Sequence, residues 1–269
     1  MKKLSINAFT LKIIAITSMF IHHAAMVLWE IVPIWIHIPL GYITGVTFPI
    51  MAFFVVEGFR RTRNIKRYMF RLLIFAVIAQ VPYMLAFGVL QLNIVFTILL
   101  GLLCLCLHEK LYVEKGKKAL FVIIFIAILI VATFVIEFEG GLAGLLMIFL
   151  YKVIKDEMKR RTVPLIVWGG FMVISTLITT AGFALAETVG MDMSKMLLEV
   201  GRLGEYMNMM MHYLTIPIGT FLIIPLLRAY NGQLGRRAKY LFYSFYPLHF
   251  VVLVIIGVAL GLFPLAMPW

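Results

Sequence analysis

Residues 11–30 read LKIIAITSMFIHHAAMVLWE, and the solvent around that stretch decides the fold. From Ile13 to Trp29 no side chain carries a full charge, yet His22 and His23 stand side by side within it. The apolar residues run continuously instead of alternating, which favours a helix over a half-buried strand. From Leu11 to Trp29 the run has 19 residues, enough to cross a hydrocarbon layer of ~30 Å at ~1.5 Å per residue. It is longer than a signal-peptide core and no cleavage pattern follows it, so it reads as a retained span.

The rest of the chain agrees. Of 269 residues, 63% are hydrophobic and 13% charged, with a mean hydropathy of +1.05. A soluble domain of this size has too little polar surface to disperse that much apolar side chain. Backbone polar groups inside a bilayer must be satisfied within helices or a closed barrel, and unbroken apolar runs select helices. The sequence therefore predicts an all-α, polytopic membrane bundle with nine spans, at 11–29, 40–58, 67–88, 94–108, 118–137, 140–154, 163–186, 211–228 and 240–262. The sixth is short and rich in glycine. Cys104 and Cys106 share one run, but positions i and i+2 face different sides of a helix, which argues against a disulfide or a metal pair.

The formal charge of +12 would suggest nucleic acid in a soluble chain. Here the basic residues lie in short connections, where membrane topology explains them and no nucleic-acid partner is expected. With the N-terminus in the cytoplasm and sides alternating, 22 of the 24 basic residues fall inside, leaving Lys195 and Arg202 outside. Deleting the sixth span would move the last cluster (Arg228, Arg236, Arg237, Lys239) outside, so the positive-inside rule favours nine spans with the C-terminus outside. No linker or clear repeat divides residues 1–269, which read as one domain. Residues 187–210 suggest an amphipathic helix on the outer interface.

Ionisable groups within spans are costly and default to functional candidates. They are His22, His23, Glu57, Arg71, His249, and, at span ends, Glu137, Glu139 and His212. Counted from the cytoplasmic side, His23 lies ~21 Å along its helix and His249 ~13 Å, at ~1.5 Å per residue. A neutral imidazole tolerates burial and still takes up a proton, which suits a general base. Neighbouring helical positions differ by about 100°, so His22 and His23 are not expected to share one focal point; His22 fits packing between helices better. Arg60, Arg61, Arg63, Lys66, Arg67 and Arg71 make a cytoplasmic cluster suited to phosphate oxygens. Glu57 stands at (i, i+3) and (i, i+4) from Arg60 and Arg61, the spacing of a helical ion pair.

The stretches LKIIAITSMFIHHAAMVL, FPIMAFFVVEGFRRTRNIKRYMFRLLIFAVIAQVPYMLAFG, NIVFTILLGLL, GGLAGLLMIFLY and LFYSFYPLH together resemble the TraX family. These membrane acetyltransferases are named after the conjugative-plasmid enzyme that acetylates pilin, and are related to the wider transmembrane acyltransferases. The run from Val56 to Tyr68 and the closing YPLH, Tyr246 to His249, carry most of the specificity. The family's span-1 Asp-His pair is His22-His23 here, Gln80 stands where Glu is common, and Glu139 where Asp often precedes the glycines. The resemblance implies acyl transfer from acetyl-CoA, or a related acyl-CoA, to an envelope glycan, lipid or protein, in the bacterial cytoplasmic membrane and without a metal. On that reading His23 is the general base and His249 a second catalytic candidate. Asn93 and Thr97 would polarise the thioester carbonyl or orient the acceptor, and Arg60, Arg61 and Arg71, with Glu57 and Tyr68, would hold the CoA. The oligomeric state is left open. A transporter or flippase is the competing reading, and it would call for inverted repeats with broken helices, of which the sequence gives no clear sign.

Overall fold

The computed structural model describes residues 5–29, 31–188 and 203–262, and those residues contain helices and two isolated bridges but no strand. Asn7 begins the first helix, its side chain accepting the Thr10 N–H at 2.9 Å. The helices are α1 (Ala8–Val27), α2 (Ile34–Arg61), α3 (Ile65–Phe87), α4 (Ile94–Leu107), α5 (Lys118–Ile130), α6 (Gly141–Val153), α7 (Glu157–Arg160), α8 (Val163–Thr188), α9 (Leu203–Arg228) and α10 (Lys239–Ala259). Helix α4 continues into π-helical turns over His108–Glu114, and α5 over Val131–Val135. Asn64 and Asn93 cap α3 and α4 by accepting the N–H groups of Arg67 and Val95, so three asparagines mark three helix starts. Gly88, at φ +63°, ends α3 in the left-handed conformation that glycine adopts without strain.

Among the described residues six helices are long and apolar enough to cross a membrane: Ala8–Val27, Trp35–Arg61, Ile65–Phe87, Ile94–Glu114, Glu157–Thr179 and Lys239–Ala259. Three shorter apolar helices, Lys118–Ile130, Gly141–Val153 and Thr215–Arg228, coincide with the fifth, sixth and eighth expected spans. This is a multi-pass membrane protein. The interfacial helix expected at 187–210 falls largely on residues 189–202, outside the described residues.

Ring and hydrogen-bond contacts give the helix directions. Along α1 and α10 the pairs Phe9–Phe242 and His23–His249 ascend together, so these helices run parallel. Along α3 and α10, Phe75–Tyr243 is followed by Phe87–Phe250, again parallel. Helix α2 runs back along α1: Thr47 Oγ1 donates to the Ala15 carbonyl and Ser18 Oγ to that of Ile43. Two backbone clasps tie distant connections together. Ile6 exchanges hydrogen bonds with Ala229 and Asn231 at the end rich in basic residues, and Leu92 with Glu137 and Glu139 at the far end.

The tightest crossing joins α2 to α9. A Cβ on Gly45 would meet the backbone of Ile216 and Thr220, and one on Gly219 the backbone of Tyr42. Small residues let helix backbones approach where lipid offers no hydrophobic drive for association. Thr220 Oγ1 seals the crossing with a 3.2 Å bond to the Gly45 carbonyl.

Candidate functional site

The two histidines that sequence reckoning set ~8 Å apart in depth at ~1.5 Å per residue meet directly. His23 Nδ1 lies 2.8 Å from His249 Nε2, and His249 Nδ1 lies 3.0 Å from the Phe245 carbonyl. The depth estimate fails because it counted from each helix's own start and ignored the connection ahead of α10 and the tilt between helices. A carbonyl only accepts, so His249 Nδ1 carries its proton and its Nε2 accepts. His23 Nδ1 is then the donor, which puts the lone pair of His23 on Nε2. A backbone carbonyl thus sets the tautomer of both rings. Phe250 and Phe87 pack on His23 at ring distances of 4.8 and 5.4 Å, and both histidines are buried.

His22 takes a different partner, Thr44 Oγ1 on α2 at 2.8 Å, as expected of a residue on another helical face. Its ring centroid is nevertheless 5.1 Å from that of His23. The two faces diverge in their partners while the rings stay adjacent.

Asn93 and Thr97 are fully buried at the far-end start of α4. Asn93 Nδ2 donates to the Ala76 carbonyl at 2.9 Å and to Gln80 Oε1 at 2.8 Å, while its Oδ1 caps the helix. Thr97 Oγ1 donates to the Glu139 carbonyl at 2.5 Å. Glu139 Oε2 in turn accepts the Ile94 N–H at 2.9 Å, where the positive end of the α4 dipole favours a carboxylate. Gln80 Nε2 donates to the Gln91 carbonyl at 2.7 Å, a bond that an ionised glutamate has no proton to make. Asn93 and Thr97 therefore join α3, α4 and the turn before α6, with their polar atoms engaged in that joint.

At the basic end, two of the predicted CoA-binding arginines hold the fold together. Arg60 Nη2 bonds the carbonyls of Tyr151 and Lys152 at the C-terminus of α6, offsetting acceptors that the helix leaves unpaired. Arg61 pairs with Glu57 at 2.8 Å, the expected (i, i+4) contact. Glu57 also takes Arg160 at 3.0 Å, and Arg160, 3% exposed, reaches Glu157 as well. Arg71 and Tyr68 lie apart from this network, on the first turns of α3 against Tyr243 of α10. The Tyr68 hydroxyl packs over Gly58, where a Cβ would sit 3.0 Å from it.

A family model described as "TraX protein" matches residues 8–257. The chain belongs to the TraX family. It is also similar to the "Probable fimbrial assembly protein FimC, serogroup H1" of Dichelobacter nodosus, 29% identical over 273 residues that cover 94% of this chain and 96% of that protein. No solved structure matches it.

In this TraX chain the sequence picked out His23 and His249 separately but not as a pair. It passed over Tyr83, which packs on Phe87 and Phe250 beside the histidines, and gave no role of its own to Tyr246 of the YPLH motif, whose ring lies 5.6 Å from that of His249. Aromatic residues are common in membrane helices, and nothing local separates Tyr83 from the other ten tyrosines in the chain. His212 lies outside the residues whose side chains are described. Cys104 and Cys106 are both free thiols.

Proposed function

We propose that this TraX-family protein is a membrane-embedded acyltransferase that moves an acetyl or related acyl group from cytoplasmic acyl-CoA to an acceptor hydroxyl or amine. The observation that carries the reading is the His23–His249 hydrogen bond, because it supplies a base whose tautomer is already set. In the reaction His23 Nε2 removes the proton from the acceptor as its oxygen or nitrogen attacks the thioester carbonyl. The tetrahedral intermediate collapses, the C–S bond breaks, and the departing thiolate recovers the proton from His23 Nε2. His249 Nε2 accepts from His23 Nδ1 throughout, holding the ring and stabilising the imidazolium, the role of the orienting acid in a catalytic triad. That role answers the loss of the family's span-1 acid at His22.

The topology completes the reading: nine crossings, the N-terminus and basic end in the cytoplasm, the C-terminus outside, in a bacterial inner membrane. Acyl-CoA then arrives from the basic end and the acceptor from the far end or the bilayer. The fimbrial-assembly name of the Dichelobacter nodosus relative supports an envelope protein as the first acceptor to test, ahead of a glycan or a lipid. The test is transfer by purified protein. His23→Ala should lose about 10² to 10⁴ of the rate while acyl-CoA binding and folded yield persist. A His23→Ala protein with wild-type turnover would sink the mechanism.

A further inference from the structure

Among the described residues, two cations within the bundle have no carboxylate partner. Lys12, on α1, lies over the rings of Phe54 and Phe242, 5.0 and 5.5 Å from their centroids. Arg71, on α3, faces the phenols of Tyr68 and Tyr243, and its Nε is buried with no hydrogen-bond acceptor. The ion pairs found among the described residues engage Glu57, Glu109 and Glu157 with Arg61, Lys152, Arg160 and Arg161, and none engages Lys12 or Arg71. A half-buried cation left unpaired costs stability unless something anionic joins it.

Their placement suggests what that is. Lys12, Arg71 and Tyr243 stand four, six and four residues into α1, α3 and α10, three helices that run parallel. Lys12 lies over Phe242 and Arg71 against Tyr243, so α10 brings the two cations to one level near the basic end. The same three helices carry His23, Phe87 and His249 farther along. From Lys12 to His23 is 11 residues, or ~16 Å at ~1.5 Å per residue. An extended phosphopantetheine arm has about 13 bonds between phosphate and sulfur, each advancing ~1.25 Å, or ~16 Å in all. Along α1, Lys12 sits one arm's length from the proposed base, while along α10 Tyr243 is six residues, ~9 Å, from His249.

We propose that Lys12 and Arg71, with the hydroxyls of Tyr68 and Tyr243, form the seat for the diphosphate of the acyl donor, in place of the Arg60 and Arg61 pair. This rests on the acyl-CoA reading. The donor's phosphate end docks between α1, α3 and α10, and its arm follows the same three helices to the histidine pair. Lysine supplies a point charge and arginine a fork of donors, and together they fit two linked phosphates better than one carboxylate.

The experiment uses the full chain in detergent and reads its equilibrium binding of CoA, of inorganic pyrophosphate as competitor, and of a short-chain phosphatidylglycerol. Expected is CoA binding that pyrophosphate displaces and that weakens about tenfold to a hundredfold in Lys12→Gln and in Arg71→Gln. Lys12→Arg should restore it, and all variants should elute as the wild type does. Wild-type CoA affinity in both glutamine variants, with loss in Arg60→Gln or Arg61→Gln, would overturn the seat and leave the acyltransferase reading intact. If the wild type binds the lipid and not CoA, and the variants lose that lipid, the seat holds an anionic headgroup and both readings fall. If it binds neither, the acyl-CoA reading falls first, and the seat with it.

Discussion

At the scale of single residues, the chemistry follows from which atoms can donate. The Phe245 carbonyl fixes a proton on His249 Nδ1, and that choice passes through the 2.8 Å contact to His23. His249→Ala should therefore lower transfer by about 10² or more, as removing the orienting member of a triad does, without weakening acyl-CoA binding. A pure packing role for His249 predicts instead that activity falls only in proportion to folded yield, and single-turnover rates per folded molecule separate the two. His22→Ala, which severs a bond to Thr44 on α2, should cost less than either. His23 and Arg71 were legible in the sequence because an ionisable group inside an apolar run stands out. Lys12 was not, since it lies at the edge of its run and reads as one more positive charge on the cytoplasmic side.

At the scale of elements, hydropathy marks every α-helix among the described residues except the four-residue α7. What it leaves unsaid is how closely they approach. Gly45→Ala and Gly219→Ala each drive a methyl into the backbone of the facing helix, and overpacking of this kind costs about 1–3 kcal/mol or more. Gly170→Ala, whose added Cβ would meet nothing within 4 Å, should be neutral or slightly stabilising through helix propensity. Thermal melts of the three variants in one detergent should rank Gly219→Ala and Gly45→Ala well below Gly170→Ala. Equal melting temperatures would remove the α2–α9 crossing from the interactions that hold the bundle.

At the scale of the whole molecule, the basic residues gathered at one end also brace the bundle. Glu57 on α2 gathers Arg61 and the buried Arg160, while Arg161 ties α7 to the Tyr230 carbonyl ahead of α10. Removing one member of a buried pair strands the other, which makes such charges conditional on one another. The orientation itself can be read in cells from a background lacking Cys104 and Cys106. Arg63→Cys at the basic end should be protected from an impermeant thiol reagent, and Leu90→Cys, 77% exposed at the far end, should react. The reverse labelling would put the basic end outside, away from cytoplasmic acyl-CoA.

Class, helical content and the positions of nine apolar segments came from the sequence alone, because burial in lipid is decided residue by residue along the chain. The family resemblance was equally local, residing in runs such as Val56–Tyr68 and Tyr246–His249. Tertiary structure decided everything that depends on two distant residues meeting. It brought His249 onto His23 across 226 positions, and committed Arg60 and Arg61 to helix ends and a carboxylate. It also left Lys12 and Arg71, on parallel helices, without a carboxylate partner among the described residues. The physical reason is that a helix fixes the order of side chains along its axis, whereas the offset, tilt and partner of each helix are set by how close neighbouring backbones can pack.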